Sequence, residues 1–373
     1  MAPHNDAPSP AGSFTPGFRL PYRQATSLRL GIFNSADSDG SLSSSFNSTG
    51  VDEDFQMTRP LTPGVYVPTM CFFKDNEDID VATIARHAVR LAKAGVTGLA
   101  TQGSNGEAVH LTQSERQLVT ATTRGALNEA GYSHMPLIVG CGSQSTRETV
   151  QLCQDAYDSG GDYALVLPPS YYAGLFAPAS ATIKEFFTTV ADRSPIPIII
   201  YNFPGAAGGL DLSSDTIVEL AQHPNIIGVK LTCGNTGKLN RVATATRRQS
   251  KNFDPAHPEF VVLAGSADFT IQSLAGGGHG ILAGLANISP KTCVQTMKLY
   301  KEGKLEQASE MQEIVSNGDW TAIQGGVVGV KAGLQGWMGY GGWARSPLPK
   351  PSAEESSRWK GGFRELFALE KSL

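Results

Sequence analysis

From Gly64 onward the chain alternates short, continuous apolar runs with longer stretches of helical period. The runs cover residues 65–67, 98–101, 136–139, 163–167, 196–201, 225–232, 260–264 and 280–282. Runs this short, rich in β-branched residues and bounded by Gly or Pro, read as strands covered on both faces, which makes them parallel. The stretches between them carry helix signals. Val81, Ile84, Ala85, Ala88, Leu91 and Ala92 share one face of a helix closed by Gly95. Thr112 with Glu115, and Ser145 with Glu148, have the spacing of capping boxes. Ser289 is placed as an N-cap with Pro290 at the first helical position.

Eight strand–helix units in about 240 residues predict a (β/α)8 TIM barrel over residues 57–300. An open doubly wound sheet is the alternative, but no Gly-x-Gly-x-x-Gly follows the first strand, which weakens its dinucleotide-binding form. Residues 301–373 read as a C-terminal helical extension with helices over 305–314, 327–338 and 353–369.

Residues 1–56 differ in kind. They are rich in Ser, Gly, Pro, Asn and Asp and show no sustained period, so a disordered tail is expected. Arg19, Arg23 and Arg29 precede most of its acids, as in a mitochondrial transit peptide, but the stretch is not acid-poor throughout. A cytoplasmic location is expected, with a mitochondrial one as the alternative. Composition narrows the class further. Hydrophobic content of 40%, charge of 17% and a net charge of −4 suit a soluble enzyme and give no electrostatic reason for nucleic-acid or membrane binding. No apolar stretch approaches a membrane span. The five cysteines have no CxxC spacing, so neither zinc nor a disulfide framework is expected, and no other metal or cofactor is called for.

In a barrel of this kind chemistry sits at the carboxyl ends of the strands. Those ends read Gly103-Ser104-Asn105-Gly106-Glu107, then Pro168-Pro169-Ser170-Tyr171-Tyr172, then Tyr201-Asn202-Phe203-Pro204-Gly205, then Lys230-Leu231-Thr232, then Gly265-Ser266. Lys230 lies in a buried, β-branched run. Burial disfavours an ammonium ion, and a neutral amine attacks ketones to give a Schiff base. A strand-end lysine can also simply reach for solvent, and a strand-end tyrosine can simply pack. An amine, phenols, a serine and a glycine-rich turn converging on one mouth favour the chemical reading.

These motifs, in this order, resemble those of the dihydrodipicolinate synthase and N-acetylneuraminate lyase superfamily of class I aldolases. The resemblance runs from about residue 62 to the C-terminus. Gln102 to Glu107 and Gln222-His223-Pro224-Asn225-Ile226 bring the chain nearest to 4-hydroxy-2-oxoglutarate aldolases and fungal 2-keto-3-deoxy acid aldolases. The resemblance implies an aldolase acting on a small-molecule 2-keto acid, with no cofactor. Lys230 would form the Schiff base, and Tyr201 would be the general acid/base. Ser104 would relay protons between Tyr201 and Tyr172, with Tyr172 reaching in from a neighbouring subunit of a homotetramer. Ser104 and Asn105 would hold the substrate carboxylate through their N–H groups, and Thr232, Gly265 and Leu282 would line the pocket.

Other residues take plainer readings. Tyr171 packs, Glu107 fixes the turn, and His279 sits in a helix-to-strand turn at the opposite end of the barrel. Two positions depart from the synthase pattern. Ala206 and Ala207 stand where an arginine binds a second carboxylate, which argues against synthesis from an amino-dicarboxylate precursor. Asn105 stands where many members carry threonine. A pyruvate-condensing synthase and a catalytically silent barrel with a binding or regulatory role are the competing functions.

Overall fold

The computed structural model describes residues 59–176, 180–252 and 254–373. The tail expected over residues 1–56 lies outside them. Eight parallel strands close into a barrel in sequence order: β1 (Gly64–Pro68), β2 (Gly98–Thr101), β3 (Leu137–Gly140), β4 (Tyr163–Val166), β5 (Ile198–Asn202), β6 (Ile226–Leu231), β7 (Val261–Ala264) and β8 (Gly280–Leu282). Closure comes from β1 on β8, with Val65 opposite Ile281, so no strand edge stays unpaired.

Two apolar layers explain why the strand runs are unbroken. Leu61, Ile138, Leu165, Ile199, Leu263 and Leu282 fill the barrel interior. The alternate residues, such as Val67, Leu99, Val139, Val166, Val229 and Val262, pack outward under the helices. Tyr66 and Tyr163 are wholly buried in the interior, and each finds an acceptor: Thr62 O at 2.7 Å and Arg59 O at 2.8 Å. Burial pushes both phenols well above their usual range.

The helices are α1 (Val81–Lys93), α2 (Gln113–Glu129), α3 (Thr146–Asp158), α4 (Ala173–Phe176), α5 (Ser180–Arg193), α6 (Ser214–Leu220), α7 (Thr236–Gln249), α8 (Thr270–Ala275), α9 (Pro290–Lys301), α10 (Leu305–Met338), α11 (Ala353–Gly362) and α12 (Arg364–Ser372). In α1 the buried face is Ile84, His87, Ala88, Leu91 and Ala92, whereas Val81, placed on that face from sequence, is exposed. Thr112 and Glu115 form both halves of a capping box. Ser145 caps α3, but the Glu148 carboxylate turns to Ser143 Oγ, so only half of the second box is made. At α9 the Ser289 hydroxyl makes no cap bond. Glu370 of α12 takes the Thr292 and Lys291 amides at 2.8 and 3.1 Å, placing a carboxylate at the positive end of the helix.

The C-terminal helices depart most from the sequence reading. α10 is two helical stretches meeting at Gly326, whose φ of 53° and ψ of −150° are not helical: the helix expected from 327 begins just past this break, whereas the one expected to end at 314 runs on up to it. The helix expected over 353–369 is divided at Phe363.

Candidate active site

Parallel pairing puts Tyr201 of β5 directly beside Lys230 of β6. Both side chains point into the barrel at its carboxyl end, 3% and 4% exposed. Lys230 Nζ sits 4.2 Å from the centre of the Tyr201 ring and has no protein acceptor among the described residues. Phe203 stacks on the phenol, 5.7 Å away between centroids.

The turn after β2 supplies the facing wall. Gly106 and Glu107 amides bond back to Gly103 and Ser104 carbonyls at 3.0 and 3.1 Å. The Ser104 and Asn105 amides donate to no protein acceptor among the described residues. Two adjacent free N–H groups on a rigid turn form an anion site. Left-handed backbone at Gln102 (φ 57°) and Glu107 (φ 51°) builds this turn, and non-glycine residues hold such angles only when their side chains are tied down. Gln102 Nε2 donates to Thr120 Oγ1 at 2.6 Å, and Glu107 pairs with Lys331 at 2.6 Å. Gly140 makes room: a Cβ there would lie 1.9 Å from Gln102 O.

These groups surround one cavity of about 640 Å³. Ser104, Asn105, Tyr201, Lys230, Thr232 and Gly265 all line it. Thr232 Oγ1 is buried there without a partner among the described residues, and a Cβ on Gly265 would meet it at 1.9 Å. Leu282, expected in the lining, is fully buried among the barrel-interior residues, and the cavity is lined two positions on by Gly284 instead. Tyr172 is 61% exposed on the loop after β4, stacked edge-on with Tyr171, and does not line the cavity in this chain. No hydrogen bond joins Tyr201, Ser104 and Tyr172 within the described residues of one chain. His279 is at the far end of the barrel, where its Nδ1 accepts from the Val262 amide at 2.9 Å, and burial lowers its pKa to about 4. With Ala206 and Ala207 where the arginine would stand, no guanidinium lines the cavity with Tyr201 among the described residues.

The sequence reading missed the cavity's remaining wall. One face of α10, including Asp319, Ala322, Ile323, Gly326 and Val330, looks into it. An acid at one end of a stripe of small and apolar residues at i+3, i+4, i+7 and i+11 is the signal that could have found it. Asp319 is 3% exposed, and burial raises its carboxyl to about 6 against the lowering pull of the Ser266 hydroxyl.

This arrangement has counterparts. The model of the dihydrodipicolinate synthetase family matches residues 62–361. A protein of Emericella nidulans named "Probable 4-hydroxy-2-oxoglutarate aldolase, mitochondrial" is 55% identical over 315 residues, which is 84% of this chain and 98% of that one. An L-threo-3-deoxy-hexylosonate aldolase of Aspergillus niger is 48% identical over 330 residues, again 84% of this chain and 98% of that one. A solved dihydrodipicolinate synthase family protein from Coccidioides immitis superposes with a TM-score of 0.72 at 34% identity, covering 84% of this chain and 99% of its own. Barrel, strand-end lysine and free-amide turn thus occur on a sequence that matches the family model over 300 residues, and the chain belongs to the dihydrodipicolinate synthetase family.

Proposed function

We propose that the chain is a class I aldolase that reversibly splits a 4-hydroxy-2-keto acid into pyruvate and an aldehyde. The observation that carries this reading is Lys230 beside Tyr201: a buried amine with no protein acceptor, 4.2 Å from a phenol ring, in a cavity whose opposite wall offers two free amides. The Lys230 amine attacks the C2 ketone and water leaves, giving an iminium ion. Tyr201 takes the proton of the C4 hydroxyl as the C3–C4 bond breaks. The bonding pair moves into the iminium nitrogen, so the pyruvyl fragment is held as a neutral enamine and not as a carbanion. The aldehyde departs, C3 is protonated, and water releases pyruvate. The Ser104 and Asn105 amides hold the C1 carboxylate throughout.

Subunit contact would complete the proton path. Val109, Tyr171, Tyr172 and Leu175 are large exposed hydrophobic residues on the segments that follow β2 and β4, and an apolar surface of that kind suits an interface in a homotetramer. Tyr172 would then enter a neighbour's relay with Ser104. The mitochondrial name of the Emericella relative, with Arg19, Arg23 and Arg29 in the N-terminal stretch, supports a mitochondrial location over a cytoplasmic one. Imaging a fluorescent protein fused to residues 1–58 tests this; a diffuse cytosolic signal would refute it.

Borohydride reduction in the presence of pyruvate tests the chemistry. Mass spectrometry should find one pyruvyl adduct, on Lys230. No adduct would sink the aldolase reading, and an adduct on another lysine would sink the assignment.

A further inference from the structure

The motifs above account for the ketone half of the cavity. The half that must take the departing aldehyde is walled by α10 and the β7–α8 loop, and two carboxylates belong to it. Asp319 is held by three donors, all on Oδ2: Ser266 Oγ at 2.5 Å, the Ala267 amide at 2.7 Å and the Asp268 amide at 3.0 Å. Its Oδ1 has no protein donor among the described residues, although the residue is only 3% exposed. Asp268 also lines the cavity, and its buried Oδ1 likewise has no partner among the described residues.

An acceptor without a donor, on a buried residue that lines the cavity, asks for a ligand that donates. Hydroxyl groups do so; a carboxylate cannot. The only cation among the described residues lining the cavity is Lys230, whose nitrogen is bonded to C2 in the Schiff base and so is not free to pair with a carboxylate at the far end of the substrate. A second carboxylate on the substrate would therefore meet two like charges and no guanidinium, an arrangement that strongly disfavours binding.

We infer that Asp319 and Asp268 select a 2-keto acid whose far end is a chain of neutral hydroxyls, a 2-keto-3-deoxy sugar acid, over one that ends in a second carboxylate. This inference rests on the aldolase reading. Asp319 is a specificity residue that touches the hydroxyls of the leaving aldehyde. Its Oδ2 also ties α10 to the β7 loop, so a purely structural role has to be separated by the test.

The experiment compares kcat/KM of the full chain at pH 7.5 on 2-keto-3-deoxy-hexonate and on 4-hydroxy-2-oxoglutarate. The sugar acid should be favoured by roughly tenfold or more, the size of one or two hydrogen bonds to a charged group. Asp319→Asn keeps the shape and can still accept from the loop amides, but turns a donor toward the ligand. It should lose on the sugar acid, gain on the dicarboxylate, and show the change mainly in KM. Asp268→Asn should shift the ratio the same way, which keeps the test alive if the first variant folds poorly. Equal or better turnover of the dicarboxylate by the wild-type protein would overturn the inference, as would variants that slow both acids in the same proportion. Failure of the aldolase reading looks different: neither acid would leave a borohydride-trapped adduct.

Discussion

Glu107 and Lys331 stand 224 positions apart in the chain, yet their side chains meet at 2.6 Å with about 1% of each exposed. Glu107 carries the turn that presents the Ser104 and Asn105 amides, and Lys331 lies on α10 beyond the Gly326 kink. The pair is well satisfied. Lys331 also donates to Trp343 O at 2.9 Å and stands over the Phe73 ring, while Glu107 accepts from the Arg345 amide at 2.9 Å and contacts His110 Nδ1 at 3.1 Å. Burial draws the Lys331 ammonium below its usual range, and Glu107 pulls it back up.

Lys331→Met should leave Glu107 buried without its cation and cost about 3–5 kcal/mol, as breaking one half of a buried pair does. Glu107→Leu with Lys331→Met should recover part of that loss, because neither charge is then stranded. Urea midpoints for the wild-type, single and double variants measure both effects. A single variant as stable as the wild-type protein would show that the pair does not hold the turn.

Tyr201→Phe removes the proton acceptor and leaves the amine. Turnover should fall roughly 10²–10⁴-fold, the usual size of general acid–base help. The pyruvyl adduct should still form under borohydride, only more slowly. Lys230→Arg keeps a positive charge but no usable nucleophile, and should lose both turnover and adduct.

Gly284 lies against the Asn105 side chain: a Cβ there would sit 2.3 Å from Asn105 Nδ2. Gly284→Ala should push that side chain and its turn toward the cavity. KM for the keto acid should rise several-fold, with a stability loss of no more than about 1–3 kcal/mol, the ordinary range for overpacking. Steady-state kinetics with a thermal melt decide it; unchanged KM would mean the turn yields freely.

Asp319 makes stability depend on pH with a definite sign. Its carboxyl is raised to about 6 when folded, above the value near 4 of an unfolded aspartate. The native state therefore holds the extra proton between about pH 4 and 6, and this contribution falls as pH rises through that window. Its size is on the order of 2–3 kcal/mol. His87 slopes the other way. Burial lowers its pKa to about 3, so its contribution falls as pH drops below 6.5. Subtracting the Asp319→Asn denaturation curve from the wild-type curve at pH 5 and at pH 7.5 isolates Asp319. A difference that does not change with pH would contradict the raised carboxyl.

The strands could be read because each is covered on both faces, which leaves an uninterrupted apolar signal such as Ile198 to Tyr201. Lys230 and Tyr201 could be read because strand ends in a barrel share one mouth. The C-terminal region could not be read in this way. Gly326 does mark a break in α10, but the mixed residues after Ile314 hide that the helix before it continues up to that break. Asp319 and Lys331 look like ordinary surface charges until their partners, 53 and 224 positions back in the chain, are brought alongside. Leu282 and Gly284 are only two positions apart, and sequence alone does not tell which of them faces the cavity.

The kinked α10 also sets an order of events during synthesis. Lys230 and Tyr201 leave the ribosome well before Asp319, Val330 and Lys331, so a nascent barrel carries its amine in a cavity still missing one wall. The anion-binding turn lacks its Lys331 anchor until the same helix arrives. A stop codon anywhere between residues 301 and 318 would spare all eight strands and still remove part of the active site, so an early stop there should be scored as a catalytic lesion even in a protein that stays folded.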